Sequence, residues 1–383
     1  MIDPQVLIDQ TAPTPLPAPF WFIQVFKVLG FTLHAVPMNL WYAGILVVML
    51  LYAFGSEHGR RFNARLMKQM PVIIAFGVNL GIVPLLFVQV AYHKVFYPAT
   101  ILMAWHWLLI IPMLAVAYYG VYWYVFGMRR AAGLSPVRVA AGWVSALLFI
   151  GIGFFFANAM SLMAHVQHWP ELYAATQIDG AVLGNALNTA DVSLWPRWLM
   201  MFGLALTTTA AWVVVDRAFF ARAESDAYHA WASGFAWKLY TIGMVWFAAA
   251  GSWYVFGTWP ASIRQTMFEM PWLILTGLTA TAVGLPWLLI TLGGRQPSRV
   301  WAALVGVAQF GVLGINAISR QMVQNLSLDA YFNPAAQGVD VQWSPLVLFL
   351  VTFVAGLGVV IWMVALVVRS LPPAPVQDSV TAT

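Results

Sequence analysis

The 383-residue chain contains no cysteine, which excludes disulfides, thiolate metal sites and covalent attachment of a c-type haem. Charge is scarce as well. Only 8% of residues are Asp, Glu, Lys or Arg and 62% are hydrophobic, whereas a soluble domain carries about a quarter charged. That balance predicts an integral membrane protein. The Met-Ile-Asp-Pro start puts no basic region ahead of a short apolar run, so no cleaved signal peptide is expected and the first span should act as its own insertion signal. A third lack concerns acid within the apolar runs. No Asp or Glu falls in the middle of one, and Asp216 and Glu269 sit near ends. Proton-coupled transport and proton-consuming oxygen chemistry ordinarily need a buried carboxylate, so both classes are weakened.

What is present is a series of apolar stretches at 31–54, 70–92, 97–126, 138–163, 195–216, 233–257, 268–292, 299–321 and 344–368. Each is long enough to cross about 30 Å of hydrocarbon as a helix. The expected fold is all-α, a polytopic bundle of nine transmembrane helices forming a single membrane domain over 1–383 without a short-period repeat. The apolar segment 19–30 either lies at the interface or extends the first helix.

Twelve of the eighteen Lys and Arg residues fall in alternate gaps: Arg60, Arg61, Arg65, Lys68, Arg129, Arg130, Arg138, Arg217, Arg222, Arg295, Arg299 and Arg369. Basic residues are retained on the cytoplasmic side during insertion, so these gaps are expected inside, with the N-terminus outside and the C-terminus inside. The remaining gaps hold Lys94, Arg197, Arg264 and Arg320 beside Glu171, Asp179, Asp191, Asp329 and Asp340. The pI of about 9.5 is thereby a topology signal and calls for no nucleic acid.

Ionisable groups inside hydrocarbon are costly, and their positions carry the functional signal. His34, Gln89, His106, Asn158 and Arg320 all come out roughly 28–31 Å above the cytoplasmic helix ends at 1.5 Å per residue, a single outer layer fed by five helices. His34 lies in Thr32-Leu-His-Ala-Val-Pro-Met-Asn39, where Pro37 should kink the helix. His106 lies between Trp105 and Trp107. Each imidazole is either an axial ligand for haem iron or a group that hydrogen-bonds a neighbouring helix or reaches the interface. Arg320 with Gln321 either grips a carboxylate such as a haem propionate or snorkels into headgroups. Lys27 and Lys238 are expected to snorkel. Thr207, Thr208 and Thr209 should bond their own backbone carbonyls, and most of the twenty Trp and thirteen Tyr should form interfacial belts.

The order of several short motifs resembles subunit I of the cytochrome bd oxidases, nine-helix quinol oxidases with three haems near the outer face. They are Leu33-His-Ala-Val-Pro37, Phe76-Gly-Val-Asn-Leu-Gly81, Ile101-Leu-Met-Ala104, Ala157-Asn158 followed by Gln167-His-Trp-Pro170, and Ser319-Arg-Gln-Met322. The last sits where that family has Gly-Arg-Gln-Pro-Trp. Gly294-Arg-Gln-Pro297 matches better by letter, but the charge pattern puts it on the inner face. The resemblance implies b-type haem, with His34 an axial ligand, His106 a second ligand peculiar to this chain, and Arg320 and Gln321 on propionates. It also implies a second membrane subunit or a periplasmic cytochrome c as partner, a bacterial cytoplasmic membrane, and an outer rim of His93, Lys94, His165, His168 and Arg197. Much of the family pattern is lost. Its span-five His falls on Trp198, its span-seven Met on about Leu275, its glutamates on Thr100, Leu108 and near Ala317, and its quinol loop shrinks to about Thr258–Thr266. The alternatives are a haem-free paralogue packed on a catalytic subunit and a multi-pass transporter.

Overall fold

The computed structural model describes residues 3–9, 14–129, 133–294 and 298–370. Among them nine helices are long and apolar enough to cross a membrane: Phe20–Phe54, Glu57–Ala91, Ala104–Gly127, Pro136–Ala164, Leu194–Phe219, Asp226–Thr258, Trp272–Gly293, Arg299–Leu328 and Trp343–Met363, here spans one to nine. The fold is all-α apart from one hairpin pairing Gln177–Ile178 with Ala181–Val182.

The connections gather on two faces. On one, Arg61 Nη1 reaches Glu224 Oε2 at 2.9 Å and Arg65 reaches Asp216, joining the starts and ends of spans two, five and six. We call this the basic face. Spans two, four, six and eight all leave it just after a serine, Ser56, Ser135, Ser225 or Ser298, and three of these hydroxyls accept a backbone N–H of the first turn. That is the usual way to satisfy an orphan donor at a helix start. On the opposite, cap face, Ala186 N donates to Leu102 O at 2.9 Å, Trp105 N to Gly184 O at 2.9 Å, and Leu16 N to Gly338 O at 2.8 Å. Arg130 and Arg295 to Pro297 lie outside the described residues.

Several boundaries differ from the hydropathy reading. Residues 20–30 extend span one, which continues through Pro37 and a π-helical turn at Leu40–Gly44. The region 97–103 is not part of span three. It belongs to a separate helix, His93–Leu102, ended by Met103 at φ −113 and ψ 30, where the 183–186 segment docks. Span eight runs to Leu328, so Arg320 and Gln321 lie two turns inside it and do not close it.

Spans one and five form the centre of the bundle, with 61% of their apolar windows buried, while the window of span nine is 0% buried and faces outward. Glycine sets the closest approaches. A Cβ on Gly77 would meet the Trp41 ring at 2.1 Å, and one on Gly81 would meet His34 Cε1 at 2.7 Å. The four-residue spacing of these glycines lets span two press onto the aromatic face of span one. Deeper in the bundle Gln309 donates to Thr207 and Thr208, both at 3.1 Å, Asn39 donates to Thr208 at 2.9 Å, and Tyr240 donates to Gln309 at 2.8 Å. The three threonines also bond their own helix, at Leu204 O and Ala205 O. This network pairs polar groups that hydrocarbon cannot hydrogen-bond, leaving Asn39 Oδ1 without a partner among the described residues.

Candidate functional site

The expected single polar layer separates into two clusters. In the first, His34 of span one points at span two, and its Nδ1–H donates to Gly77 O at 2.8 Å. Gly77 thus serves twice, its missing side chain admitting Trp41 and its carbonyl fixing the imidazole. The ring lies against Gly81, 5.8 Å from the Trp41 ring and 6.4 Å from that of Phe31. Nε2 takes no hydrogen bond among the described residues and is not one of the sealed, unpartnered atoms.

Arg320 comes to the same place from span eight. Its guanidinium sits over the Phe31 ring at 4.6 Å and makes no ion pair with a carboxylate among the described residues. Gln321, the next residue, faces elsewhere. It donates to Tyr92 Oη at 2.7 Å and Asn325 Oδ1 at 2.9 Å, and it accepts from Lys27 Nζ. Tyr92 in turn donates to Asn325 at 2.6 Å and accepts from Gln24 at 2.6 Å. Gln321 is therefore committed to a protein network and is not free to hold a propionate.

Lys27 does not snorkel. It is 6% exposed, with its ammonium 4.0 Å from the centre of the Tyr92 ring and no carboxylate in contact among the described residues. Lys238, in contrast, is exposed. A buried ammonium is ordinarily paired, and here its partners are an amide oxygen and an aromatic face. The partner lies 294 residues away in sequence, so the charge alone could not announce it.

His106 lies against span four, and Asn158 of the same span anchors a second cluster. The His106 ring packs on Phe155 of span four at 5.3 Å, and its Nδ1 is buried without a partner. No contact joins it to His34 among the described residues, and the two imidazoles do not form a pair. Asn158 accepts from Asn188 N at 3.1 Å, anchoring the 186–193 segment. Around it Ser161 donates to Asp191 Oδ2, Asn188 Nδ2 donates to Ser161 Oγ at 3.0 Å, and Ser193 N and Oγ donate to Asp191 at 2.9 and 3.0 Å. His165 Nδ1 lies 3.0 Å from Asp191 Oδ2, and His168 Nδ1 lies 3.0 Å from Asn188 Oδ1. Of the expected rim, these two histidines share one site. His93 Nδ1 bonds Val90 O at 3.3 Å on its own.

Burial of Asp191 would raise its carboxyl, but the hydrogen bond and charge of His165, with the Ser161 and Ser193 donors, hold it well below the usual carboxylate range. A depressed folded value stabilises the protein above the unfolded value near 3.9, and the benefit is lost as pH falls through the folded value. Asp191→Asn is therefore expected to lower stability by about 1.5–3 kcal/mol at pH 7. In thermal melts the gap to the unmodified protein should persist to about pH 5 and narrow only below about pH 4. A gap that closes between pH 7 and 5 would contradict this.

An imidazole whose Nδ1–H is tied to a backbone carbonyl is set up to offer Nε2 to a metal, because that bond fixes tautomer and ring orientation. The first cluster offers one imidazole nitrogen that would hold haem iron, with the Arg320 cation alongside. It does not fit a bis-histidine pair, and Gln321 drops out of the anchor. Fold and site define a polytopic helical membrane protein with a cationic, histidine-bearing cluster near its cap face. No family model matches the chain, and no curated protein matches it.

Proposed function

We propose that the chain is a cytochrome bd-like membrane subunit of a respiratory electron-transfer complex. It would bind a single b-type haem through His34, with the cap face directed to the periplasm of a bacterial cytoplasmic membrane. The observation that carries the reading is the His34 imidazole, fixed by Gly77 O, beside Arg320, with neither Nε2 bonded nor the guanidinium paired to a carboxylate among the described residues. Haem b would supply a one-electron carrier.

The residues of the chain do the rest. Gly77 and Gly81 hold the ring in place. Arg320 puts positive charge beside the imidazole, where it would meet an anionic substituent. The alternating basic gaps support the orientation, and the outward-facing span nine gives a second membrane subunit a place to pack.

Purification from membranes of haem-replete cells tests the reading. A reduced-minus-oxidised difference spectrum with b-type bands, together with a copurifying cytochrome or second subunit, is expected. A pigment-free chain in a stable complex would replace the reading with the haem-free paralogue. A solitary pigment-free chain would point to a transporter.

A further inference from the structure

The strongest unassigned feature is the histidine pair of the cap. His165-Val-Gln-His168 spans a single 3-10 turn, so the two side chains emerge on one side. Their ring centroids lie 5.6 Å apart with 23° between the planes. Two imidazoles bound through Nε2 to one tetrahedral ion have centroids about 5 Å apart, given metal–nitrogen bonds near 2 Å.

The hydrogen bonds around the pair assign every proton in one sense. Asn188 Nδ2 donates to Ser161 Oγ, which turns Asn188 Oδ1 toward His168 and makes His168 Nδ1 the donor. Ser161 Oγ donates to Asp191 Oδ2, and His165 Nδ1 faces two acceptors, Ser161 O at 3.2 Å and that carboxylate at 3.0 Å. Both Nδ1 atoms therefore carry hydrogen, and in the neutral rings both Nε2 atoms carry lone pairs. Neither Nε2 has a hydrogen bond among the described residues.

The supporting shell is enclosed. Asn158 and Ser161 are 0% exposed, Asn188 2% and Asp191 4%, while the His165 side chain is 19% exposed and open to an ion. Metal-binding histidines ordinarily have this arrangement, each ring's second nitrogen bonded to a carboxylate or amide oxygen.

We propose that His165 and His168 form a surface site for a borderline divalent transition ion such as Zn2+ or Cu2+. Two imidazole nitrogens bind the ion and water fills its other positions, since no group of three His, Cys, Asp or Glu side chains converges among the described residues. Imidazole pairs select such ions over Mg2+ and Ca2+, which take oxygen ligands. The site is independent of the haem reading, because it uses neither His34 nor His106.

Cu2+ titration of the purified full-length protein, followed by electron paramagnetic resonance, tests the site. One ion per chain with two imidazole nitrogens in its coordination sphere is expected. His165→Gln and His168→Gln should each lose that two-nitrogen signature, and Asn188→Ala should weaken binding about 10–100-fold. Mg2+ should not compete, whereas Zn2+ should. A one-nitrogen or non-stoichiometric signal in the unmodified protein would overturn the proposal by itself. So would an unchanged two-nitrogen signal in either glutamine variant.

Discussion

Arg65→Ala is expected to destabilise the protein by about 3–5 kcal/mol, the range for stripping one partner from a buried ion pair. Asp216 is 1% exposed. Its two oxygens receive Arg65 Nε at 2.9 Å and Nη2 at 3.0 Å, with Gln69 Nε2 adding a third bond at 3.0 Å. Removing the guanidinium leaves an enclosed carboxylate with one amide donor, and the desolvation of that charge is no longer offset. The converse change should cost less. In Asp216→Asn the remaining Arg65 is 20% exposed and still has Glu224 Oε1 within 3.5 Å. Denaturation of both variants in the same detergent checks the order, and an Arg65→Ala protein as stable as Asp216→Asn would contradict it. The pair links span two to the basic-face end of span five, so the loss should be global.

Gly203→Val should cost about 3 kcal/mol or more, at the high end of overpacking effects. A Cβ at Gly203 would sit 2.8 Å from Phe247 N, and one at Gly243 would sit 2.8 Å from Thr207 N. The obstructing atoms are backbone, so no rotamer change relieves the clash, and spans five and six must part. Parting them would shift Thr207 and Thr208, on which Gln309 and Asn39 depend. Gly311→Ala is the control. Nothing lies within 4 Å of its added Cβ, and removing a helical glycine should stabilise by about 0.5–1 kcal/mol. Thermal melts of the two variants should move in opposite directions, and equal shifts would contradict the packing account.

The number of spans was legible because long apolar runs have one common solution in a bilayer. Their ends were less so. The sequence left 19–30 either at the interface or as an extension of the first helix, and Phe20-Trp-Phe22 starts span one, with Phe22 and Phe26 packed in edge contact with Phe349. The segment after Arg320 is too polar for a hydropathy window. It stays helical because Gln321 and Asn325, one turn apart, bond each other and Tyr92.

Counting rise per residue gave depth but not azimuth. It put His34 and His106 in one layer, and could not show that one turns to span two and the other to span four. The azimuth of His34 did have a sequence signal in the Gly77 and Gly81 spacing, which marks the neighbour that comes close. Lys27 carried no such signal, since its partner is on span eight. The His165-x-x-His168 turn was visible as a rim, but its built support depends on Asn188 and Asp191, which a loop brings back twenty or more residues later.

We propose that His34 alone supplies an imidazole to haem iron, with Arg320 as the cation beside it. Haem content per chain, measured on protein purified from haem-replete cells as unmodified chain, His34→Ala and His106→Ala, tests it most directly. One haem is expected in the unmodified chain, none in His34→Ala and one in His106→Ala, each variant eluting as the folded species. No haem in the unmodified chain, or haem retained in His34→Ala, would contradict it.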